Sequence, residues 1–358
     1  MITSTGTVPI SKDVRPLSPQ VDLYPPTRFM GSKERLLSAL WQQIGRFEPS
    51  SVLDLCSGSG VVGYMLKAQG CQVYSNDYMA MAATIAKALI ANNDTILEDE
   101  EIETILSAAD EGDAFVQRTY DGLYYDAQDA AFIDRARTRI AQMLGTKKEL
   151  AKAALIRACV KKRARGIFTY TGLRYNDGRR DLKLTLAEQF RTAAEAINAA
   201  VFSNGRQNVV SRSDIATAPP MVDADLIYLD PPYFSPLSDN EYVRRYHFVE
   251  ALACDWEGVE IQADTKTKKI RNYPTPFKTE AGTAAAFEEL AETYSGKPLL
   301  ISYSSNALPK AEETLGLLRR HRERAEVVEV DHLYSFGNQG HLKNGAKNRV
   351  KELIFVAY

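Results

Sequence analysis

The segment between residues 51 and 77 constrains the fold of this chain more than any other part of the sequence. A short apolar stretch, residues 51–55, runs into Cys56-Ser57-Gly58-Ser59-Gly60, and a helical pattern then continues to about Ala68. A second apolar stretch, residues 72–77, ends in the acid Asp77. This order of elements predicts a β-α-β unit whose first turn is rich in glycine, the general layout of a nucleotide-type binding crevice.

Alternating strand and helix patterns continue beyond this unit. The further predicted strands are 208–214, 224–230, 299–303, 325–330 and 350–358, and the predicted helices are 79–91, 281–294 and 309–320. Another amphipathic helix follows Lys33, because Leu36, Leu37, Leu40 and Ile44 recur at spacings of three and four. Strands that alternate with helices favour an α/β fold with a mostly parallel sheet.

The length and the charge pattern predict a core with an insertion. A chain of 358 residues corresponds to between two and three domains at roughly 150 residues each. Residues 1–23 are predicted to form an extended N-terminal arm, with order beginning near Tyr24. Residues 24–93 and 206–358 form the predicted core, and 94–205 the predicted insert. Within it, residues 94–134 carry 13 acidic residues and one basic residue, whereas residues 147–191 carry 13 basic and 4 acidic residues.

The composition excludes several classes of protein. The fractions of 45% apolar and 25% charged residues are those of a globular chain. The four cysteines show no C-x-x-C spacing, so neither a zinc module nor a disulfide framework is expected, and no metal site is predicted. No apolar run approaches the roughly 18 residues that span a bilayer, and the N-terminus lacks the apolar core of a signal peptide. We therefore expect a cytoplasmic protein without membrane contact.

The glycine turn allows two interpretations besides a turn without a ligand. Gly58, Gly60 and Gly63 satisfy G-x-G-x-x-G, which is typical of nicotinamide dinucleotide sites. Such a site holds a pyrophosphate at the helix N-terminus, where a nearby carboxylate is unfavourable. Asp54 closes the preceding strand. A cationic ligand, such as an amino-acid ammonium or a sulfonium, therefore suits this turn better, while Asp77 is suited to two ribose hydroxyls.

The stretch Asp230-Pro231-Pro232-Tyr233 follows an apolar strand directly and is the stronger signal. Ligands of open α/β sheets bind beyond the carboxyl ends of the strands. Two prolines remove two N–H donors, which leaves carbonyl oxygens and the Asp230 carboxylate as acceptors. Acceptors of this kind bind the hydrogens of an exocyclic amine such as adenine N6, so that its nitrogen lone pair can attack a methyl group. Tyr233 would then stack on the base.

Two further residues are candidate ligands of a cofactor. Asp214 ends a predicted strand and is suited to accept a hydrogen bond from a cofactor's adenine amine, although a solvated acid at a strand end is equally ordinary. Lys33, with Phe29 and Tyr24 nearby, is placed to close the crevice over a cofactor's carboxylate. The alternative for Lys33 is a solvated position on a helix face.

Several motifs together resemble a known family. They are Arg28-Phe29-Met30-Gly31-Ser32-Lys33, the stretch from Asp54 to Gly60, Asn76-Asp77, Asp214 and Asp230-Pro231-Pro232-Tyr233, in that order. This set is similar to the Dam-type (alpha group) DNA adenine-N6 methyltransferases. The resemblance implies a Rossmann-like methyltransferase sheet with a reversed last strand, S-adenosylmethionine as cofactor, duplex DNA as substrate and a target-recognition module in the insert.

The resemblance also implies roles for individual residues. The catalytic set is Asp230, Pro231, Pro232 and Tyr233. The expected cofactor-binding residues are Tyr24, Phe29, Lys33, Asp54, Ser57, Gly58, Ser59, Gly60, Asp77, Tyr78 and Asp214. The expected DNA-binding residues are Arg163, Arg165, Arg174, Tyr175, Asn176, Arg179, Arg180, Arg244, Arg245 and Tyr246. The family often has Trp where Phe29 stands and Phe where Cys56 stands, so the packing of the cofactor is expected to differ here.

The sequence thus leads to one hypothesis with rivals. We expect an enzyme that flips an adenine out of duplex DNA and methylates its N6 atom at a specific site. An RNA or protein amino-methyltransferase with the same Asp-Pro-Pro-Tyr site is an alternative, a nicotinamide-dependent oxidoreductase is weaker, and a DNA-binding module without catalysis is weaker still. The sequence leaves open which DNA word is recognised, and whether the enzyme partners a restriction endonuclease, works alone or belongs to a phage.

Overall fold

A seven-stranded sheet lies at the centre of the computed structural model, which describes residues 11, 13–108, 112–172, 176, 178–236, 241–333 and 349–358. Its strands are β1 (Ser51–Asp54), β2 (Gln72–Asp77), β3 (Val209–Arg212), β4 (Leu226–Leu229), β5 (Leu299–Ser304), β6 (Ala325–Leu333) and β7 (Arg349–Ala357). Their spatial order is β3-β2-β1-β4-β5-β7-β6. The first five strands pair in parallel, whereas β7 runs antiparallel to β5 and β6. The predicted α/β fold with a reversed last strand is therefore confirmed.

Helices cover both faces of this sheet. They are α1 (Leu37–Ile44), α2 (Val61–Ala68), α3 (Ala80–Ala86), α4 (Asp99–Leu106), α5 (Phe115–Thr119), α6 (Ala127–Gln142), α7 (Gly145–Lys161), α8 (Arg180–Lys183), α9 (Leu186–Ala200), α10 (Tyr242–Ala253), α11 (Glu280–Thr293) and α12 (Ala311–Arg319). Successive strand residues point to opposite faces, so the sheet separates two apolar cores. Val52 and Leu226 belong to the core shared with α1 to α3, α6, α7, α9 and α10. Leu53 and Ile227 belong to the core shared with α11 and α12.

The order of the strands creates a crevice at one point of the sheet edge. Strand β1 lies between β2 and β4, so the chain leaves β1 toward one side and later returns on the other side. In the sheet, Asp54 at the end of β1 is in register with Ser75 on β2 and Tyr228 on β4. Connections that diverge in this way leave the carboxyl ends of the two central strands open to a ligand. The glycine turn and Asp230 both follow these strand ends.

The predicted helix 79–91 is observed, but its second half departs from α geometry. Helix α3 continues as a π-helical turn, Lys87–Ala91. The buried Lys67 donates hydrogen bonds to the carbonyls of Leu89 at 3.2 Å and Asn92 at 2.5 Å, and burial lowers the pKa of Lys67 to about 8. The turn presses Ile90 against Gly63, where a Cβ would lie 2.6 Å from the Ile90 Cδ1 atom. The third glycine of the motif thus serves helix packing.

The segment before Tyr24 differs from the prediction of an extended arm. Residues Pro19–Leu23 form a 3₁₀ helix, and Val21 is buried in the core. The Trp41 indole N–H donates to the Arg15 carbonyl at 2.8 Å, which ties the segment to α1. Ordered structure is therefore already present before Tyr24, in contrast to the prediction that it begins near that residue. A single five-residue turn is too short to leave a periodic pattern in the sequence.

The predicted insert, residues 94–205, is helical and contains α4 to α9. Its helix α7 packs against α3, the π-helical turn and α10 of the predicted core, and buried residues of both parts form one continuous apolar cluster. The charges are partly internal. Asp134 is fully buried and accepts hydrogen bonds from the main-chain N–H groups of Val116 and Gln117. The division of the chain into domains remains a prediction.

The structure also bears on membrane spans, metal sites and disulfide bonds. In the ranges described, no helix is long and apolar enough to cross a membrane. Within the same ranges, no group of three or more His, Cys, Asp and Glu side chains is arranged to hold a metal ion. All four cysteines are described and carry free thiols, of which those of Cys71 and Cys159 are buried.

Candidate active site

The glycine turn forms one wall of the crevice at the switch point of the sheet. Gly58 and Gly60 have φ values of +50° and +80°, a left-handed conformation that residues with a Cβ rarely adopt. One oxygen of the Asp77 carboxylate accepts a hydrogen bond from the Gly58 N–H at 2.8 Å, and the other accepts one from the Met79 N–H at 2.8 Å. Burial raises the pKa of Asp77 to about 6, against the lowering effect of these two bonds. Asp77 therefore fixes the turn as well as facing the crevice.

Asp54 lies at the floor of the crevice and is the group most in need of a ligand. Its side chain is buried, and within the described chain neither carboxylate oxygen has a hydrogen-bond partner of normal geometry. Burial raises the pKa of Asp54 well above its usual range, and the nearby carboxylates of Asp230 and Asp77 raise it further. A buried acceptor without a donor is costly, so the site favours a bound cation or a hydrogen-bond donor.

The crevice has a volume of about 580 Å³, counted with the solvent at its mouth. It brings together ten of the residues singled out from the sequence, namely Phe29, Lys33, Asp54, Ser57, Gly58, Ser59, Asp77, Tyr78, Asp230 and Pro232. Sequence reasoning gave no role to several other lining residues, which are Met30, Gly31, Ser32, Val61, Val62, Met79, Tyr228 and Tyr242. Segments far apart in the sequence therefore meet in one site.

Three predicted cofactor residues, Tyr24, Gly60 and Asp214, lie outside the lining of the crevice. The buried Tyr24 donates a hydrogen bond from its hydroxyl to the Ser59 carbonyl and thereby supports the glycine turn from behind. Asp214 lies half-buried just beyond β3 and accepts a hydrogen bond from the Ala216 N–H at 2.9 Å. Asn76 holds the two neighbouring strand ends together, because its side-chain amide donates to the carbonyls of Leu55 and Ser213. The structure thus assigns Tyr24 and Asp214 supporting positions.

Aromatic rings close one side of the crevice. The ring of Phe29 stacks on Tyr246 with centroids 5.0 Å apart and on Tyr242 with centroids 5.6 Å apart. Tyr246 is fully buried, and its hydroxyl accepts a hydrogen bond from the Met30 N–H at 2.7 Å. It therefore supports Phe29 from the interior, which differs from the predicted contact with DNA. Tyr242 lies one helical turn earlier on α10, and this i, i+4 spacing was the available signal for a shared face.

Asp230 follows β4 and lies in a network of charges. The Lys33 Nζ atom is 2.7 Å from Asp230 Oδ2 and 3.6 Å from Glu352 Oε1. The Tyr233 hydroxyl donates to Asp230 Oδ1 at 3.2 Å and also to the Glu352 carboxylate. Burial raises the pKa of Asp230 to about 6, while Lys33 lowers it and the charge of Glu352 raises it.

The position of Lys33 corrects the sequence-based assignment. This lysine was predicted to face the carboxylate of a cofactor, or else to lie on a solvated helix face. Instead it is buried and its ammonium pairs with the carboxylate of Asp230. Burial alone would lower the pKa of Lys33, but Asp230 and Glu352 outweigh it and raise the pKa above its usual value. The ammonium thus lies at the carboxylate that was predicted to receive the adenine amine.

Pro231, directly after Asp230, is buried, whereas the next two residues, Pro232 and Tyr233, are half-buried. Pro232 lines the crevice, and the half-buried Tyr233 ring packs edge-on against Tyr303 with centroids 5.0 Å apart. The following residue is fixed on both sides, since the Phe234 N–H donates to the Tyr303 hydroxyl and the Phe234 carbonyl accepts from the Leu308 N–H. The chain after the Asp-Pro-Pro-Tyr stretch is therefore anchored to the sheet before it continues toward α10.

The predicted DNA-binding residues divide into interior and surface groups. Arg163 is only 3% exposed, and its guanidinium donates to the carbonyls of Tyr124, Tyr170 and Gly172. Its side chain consequently has no outward surface, in contrast to the predicted contact with phosphates. The exposed members are Asn176, Arg179, Arg180 and Arg244, and the half-buried members are Arg165 and Arg245. Arg174 and Tyr175 lie outside the described residues.

The basic segment is attached directly to the crevice. Arg28, next to Phe29, donates to the carbonyls of Lys161 and Arg163 at 2.6 and 2.8 Å and pairs with Asp181 at 2.6 Å. The Phe168 N–H donates to the Arg245 carbonyl on α10 at 2.8 Å. The end of α7, the segment before α1 and the start of α10 therefore form one joined unit beside the site.

The sheet order, the glycine turn at the switch point and an acid after β4 together define a Rossmann-like methyltransferase. The model of the D12 class N6 adenine-specific DNA methyltransferases matches residues 29–295, and the chain belongs to this family. The match contains the glycine turn, the insert and the Asp-Pro-Pro-Tyr stretch. The family assignment expected from the sequence motifs is thus confirmed.

Three curated proteins are similar over most of this chain. It is 25% identical over 351 residues to Type II methyltransferase M2.HphI of Haemophilus parahaemolyticus, covering 93% of this chain and 97% of that protein. It is 24% identical to Modification methylase StsI of Streptococcus sanguinis, covering 92% of this chain and 51% of that protein. It is 26% identical to Type II methyltransferase M.FokI of Planomicrobium okeanokoites, covering 82% and 47%. The chain thus spans nearly all of the first relative and about half of the other two.

Proposed function

We propose that this adenine-specific DNA methyltransferase transfers the methyl group of S-adenosylmethionine to the N6 atom of an adenine flipped out of duplex DNA. One observation carries the proposal: a single crevice contains the buried Asp54 carboxylate, which has no hydrogen-bond donor of normal geometry within the described chain, and the Asp230 carboxylate at the neighbouring strand end. The first suits a cationic cofactor, and the second suits the hydrogens of an aromatic amine.

The residues of the crevice fit S-adenosylmethionine better than a nicotinamide dinucleotide. Asp54 offers two oxygens to an ammonium group, and Asp77 lies at the adjacent strand end, where it is suited to ribose hydroxyls. Phe29 adds an aromatic face to the same wall. Three carboxylates in one crevice, those of Asp54, Asp77 and Asp230, would repel a pyrophosphate. When bound, S-adenosylmethionine supplies a methyl group on a positively charged sulfur, which a nitrogen lone pair can displace.

The chain's own groups prepare the adenine nitrogen. Asp230 and the Pro231 carbonyl accept hydrogen bonds from the two amine hydrogens, which keeps the nitrogen lone pair available. The nitrogen gains a methyl group and must lose one proton, and the Asp230 carboxylate is placed to accept it. The ammonium of Lys33 lies 2.7 Å from Asp230 Oδ2, and we infer that it moves away as the amine takes its place at this oxygen. The ring of Tyr233 provides the stacking surface.

The outer surface is suited to duplex DNA. Arg179, Arg180 and Arg244 are exposed beside the unit that joins α7 and α10 to the crevice. Cations there would bind phosphates on either side of the flipped nucleotide, and stacking and hydrogen bonds in the pocket would offset the few kcal/mol that extrusion costs. The names of the relatives include type II methyltransferases, which supports a site-specific enzyme paired with a restriction endonuclease for the same DNA word.

A methyl-transfer assay tests the proposal. The full chain is incubated with S-adenosylmethionine labelled in its methyl group and, separately, with duplex DNA, RNA and protein, and the product is digested to nucleosides. We expect label in N6-methyladenine from duplex DNA. The Asp230→Asn variant should lose at least about 1,000-fold in kcat while retaining DNA affinity, because an acceptor for the amine is replaced by a partial donor. Label in RNA or protein instead, or full activity of the variant, would contradict the proposal.

A further inference from the structure

Glu352 is a buried carboxylate in the site to which sequence reasoning assigned no role. It lies on the reversed strand β7, opposite Ser304 of β5, and is fully buried. Lys351 beside it is exposed, whereas Glu352 points into the interior together with the apolar residues that follow it. Burying an ionised carboxylate is costly unless donors surround it.

The donors that offset this cost come from three separate parts of the chain. Ser302 Oγ donates to Glu352 Oε1 at 2.7 Å, and the Tyr233 hydroxyl donates to the same oxygen. The Lys33 Nζ atom lies 3.6 Å from it. Only Ser302 belongs to the sheet itself, whereas the other two donors line or border the proposed site. Glu352 therefore links the sheet to two side chains of the proposed site.

We propose that Glu352 is a positioning residue for methyl transfer, an inference that rests on the proposed function. Its carboxylate holds the Tyr233 hydroxyl and receives the Lys33 ammonium when the adenine amine takes the place of Lys33 at Asp230.

The distances around Lys33 support this exchange. Its ammonium lies between two carboxylates, 2.7 Å from Asp230 and 3.6 Å from Glu352. A shift of roughly 1 Å toward Glu352 would release Asp230 Oδ2 and bring the second ion pair to normal hydrogen-bond distance. The ammonium thereby keeps an anionic partner throughout and is never left buried without one. Glu352 thus frees the acceptor without exposing Lys33 to solvent.

The Glu352→Gln variant tests the role of the charge. It preserves the volume of the side chain and an oxygen acceptor for Tyr233 and Ser302, but it removes the anion that receives Lys33. We expect kcat with duplex DNA to fall by about 10- to 100-fold, the usual range for a hydrogen bond to a charged group. The dissociation constants for DNA and cofactor should change by less than about threefold, because Glu352 contacts neither surface.

Three further variants separate positioning from structure. Glu329→Gln removes an exposed carboxylate from the neighbouring strand β6, where it pairs with Lys351, and should leave kcat unchanged. Ser302→Ala removes one donor to Glu352 but keeps the charge, so it should lower the melting temperature with little effect on kcat. Glu352→Asp keeps the charge but is shorter by one CH₂ group, so its carboxylate cannot reach Lys33. This variant should also lower kcat, and it replaces Glu352→Gln in the test if the glutamine variant does not fold.

Coupling to Tyr233 provides a second measurement. If Glu352 acts partly through the Tyr233 hydroxyl, the loss from Glu352→Gln should be smaller in a Tyr233→Phe background than in the wild type. Fully additive losses in kcat would contradict the positioning of Tyr233. An unchanged kcat in Glu352→Gln with an active wild type would overturn the proposal for Glu352 while leaving the proposed function intact.

A measurement that does not depend on activity tests whether the Glu352 carboxylate interacts with the Lys33 ammonium. Lysine labelled with ¹³C at Cε is followed by NMR from about pH 7 to about pH 11. Because Glu352 raises the pKa of Lys33, Glu352→Gln should lower the Lys33 pKa, whereas Glu329→Gln should move only the pKa of Lys351. An unchanged Lys33 pKa would overturn the proposed exchange. Since this measurement needs no substrate, it stands even if the wild type fails to methylate DNA, a result that would refute the proposed function alone.

Discussion

The crevice and the basic segment, residues 147–191, both contain charged side chains that the sequence singles out, but the structure places them differently. In the crevice, Asp54, Asp77 and Asp230 lie together at adjacent strand ends. In the basic segment, Arg163 is buried against carbonyls, while Arg179 and Arg180 are exposed. The crevice brings together most of the residues that the motifs singled out, although Lys33 pairs with Asp230, whereas only some of the predicted residues of the basic segment are exposed.

The difference has a geometric cause. The carboxyl ends of parallel strands meet at one edge of the sheet, so an acid directly after a strand has a determined neighbourhood. An arginine in the turn after α7 has no such constraint, because its long side chain can reach either solvent or an interior carbonyl. A cluster of basic residues in a sequence therefore indicates a DNA surface less reliably than an acid at a strand end indicates a ligand site.

The largest expected effect concerns Arg163, whose side chain lies in the interior. Arg163→Ala would leave the buried carbonyls of Tyr124 and Tyr170 without their donor, at a cost of about 1 to 3 kcal/mol each, so we expect a loss of at least roughly 2 kcal/mol in the free energy of unfolding. The matched variant Arg180→Ala, at an exposed position, should change it by less than about 0.5 kcal/mol. Urea denaturation of both variants measures the difference. If the free energy of unfolding fell equally little in both variants, the side chain of Arg163 would lie at the surface instead.

A somewhat smaller effect is expected for Asp54→Asn. Loss of the carboxylate should weaken S-adenosylmethionine binding by about 10- to 100-fold in a calorimetric titration. The free energy of unfolding should increase in the same variant. The pKa of Asp54 is raised in the folded state, so its stabilising contribution is lost as the pH rises above the usual aspartate pKa, and the neutral amide avoids this loss.

The control for this prediction is Asp223→Asn, which removes a highly exposed acid paired with Lys297. It should leave cofactor affinity unchanged. If Asp54→Asn bound the cofactor as tightly as the wild type, the proposal that Asp54 binds S-adenosylmethionine in the crevice would be contradicted.

The pH dependence of activity should report on Asp230. Burial raises its pKa to about 6, and protonation removes both the charge that strengthens its hydrogen bonds to the amine and its capacity to accept the amine proton. We expect kcat/KM for DNA, measured at saturating cofactor, to fall as the pH decreases below about 6. Asp77 also has a raised pKa of about 6, so its protonation should appear separately, as a change in cofactor affinity. A flat profile between about pH 5 and pH 8 would contradict the role of Asp230 as acceptor.

The smallest effect is expected at the exposed end of the basic segment. Neutralising Arg179 and Arg180 together to Gln should weaken duplex binding and reduce the slope of log K against log salt by about 2, since roughly 0.9 counterions are released per phosphate contact. Methyl transfer at saturating DNA should be preserved. An unchanged slope would place the DNA surface elsewhere. The basic segment would then contain even fewer of the predicted functional residues than the crevice does.

The sequence determined the mostly parallel sheet, the glycine turn and the acids at the strand ends, because strand patterns and parallel topology specify which residues meet at the carboxyl edge. The reversed last strand was implied by the family resemblance. Only the tertiary structure decided the partners of Lys33, the interior position of Arg163 and Tyr246, and the inclusion of Glu352 in the site. Several of those contacts join segments far apart in the sequence, such as Lys33 with Asp230 and Met30 with Tyr246. Long-range contacts depend on how helices and strands pack, which local spacing in a sequence does not specify.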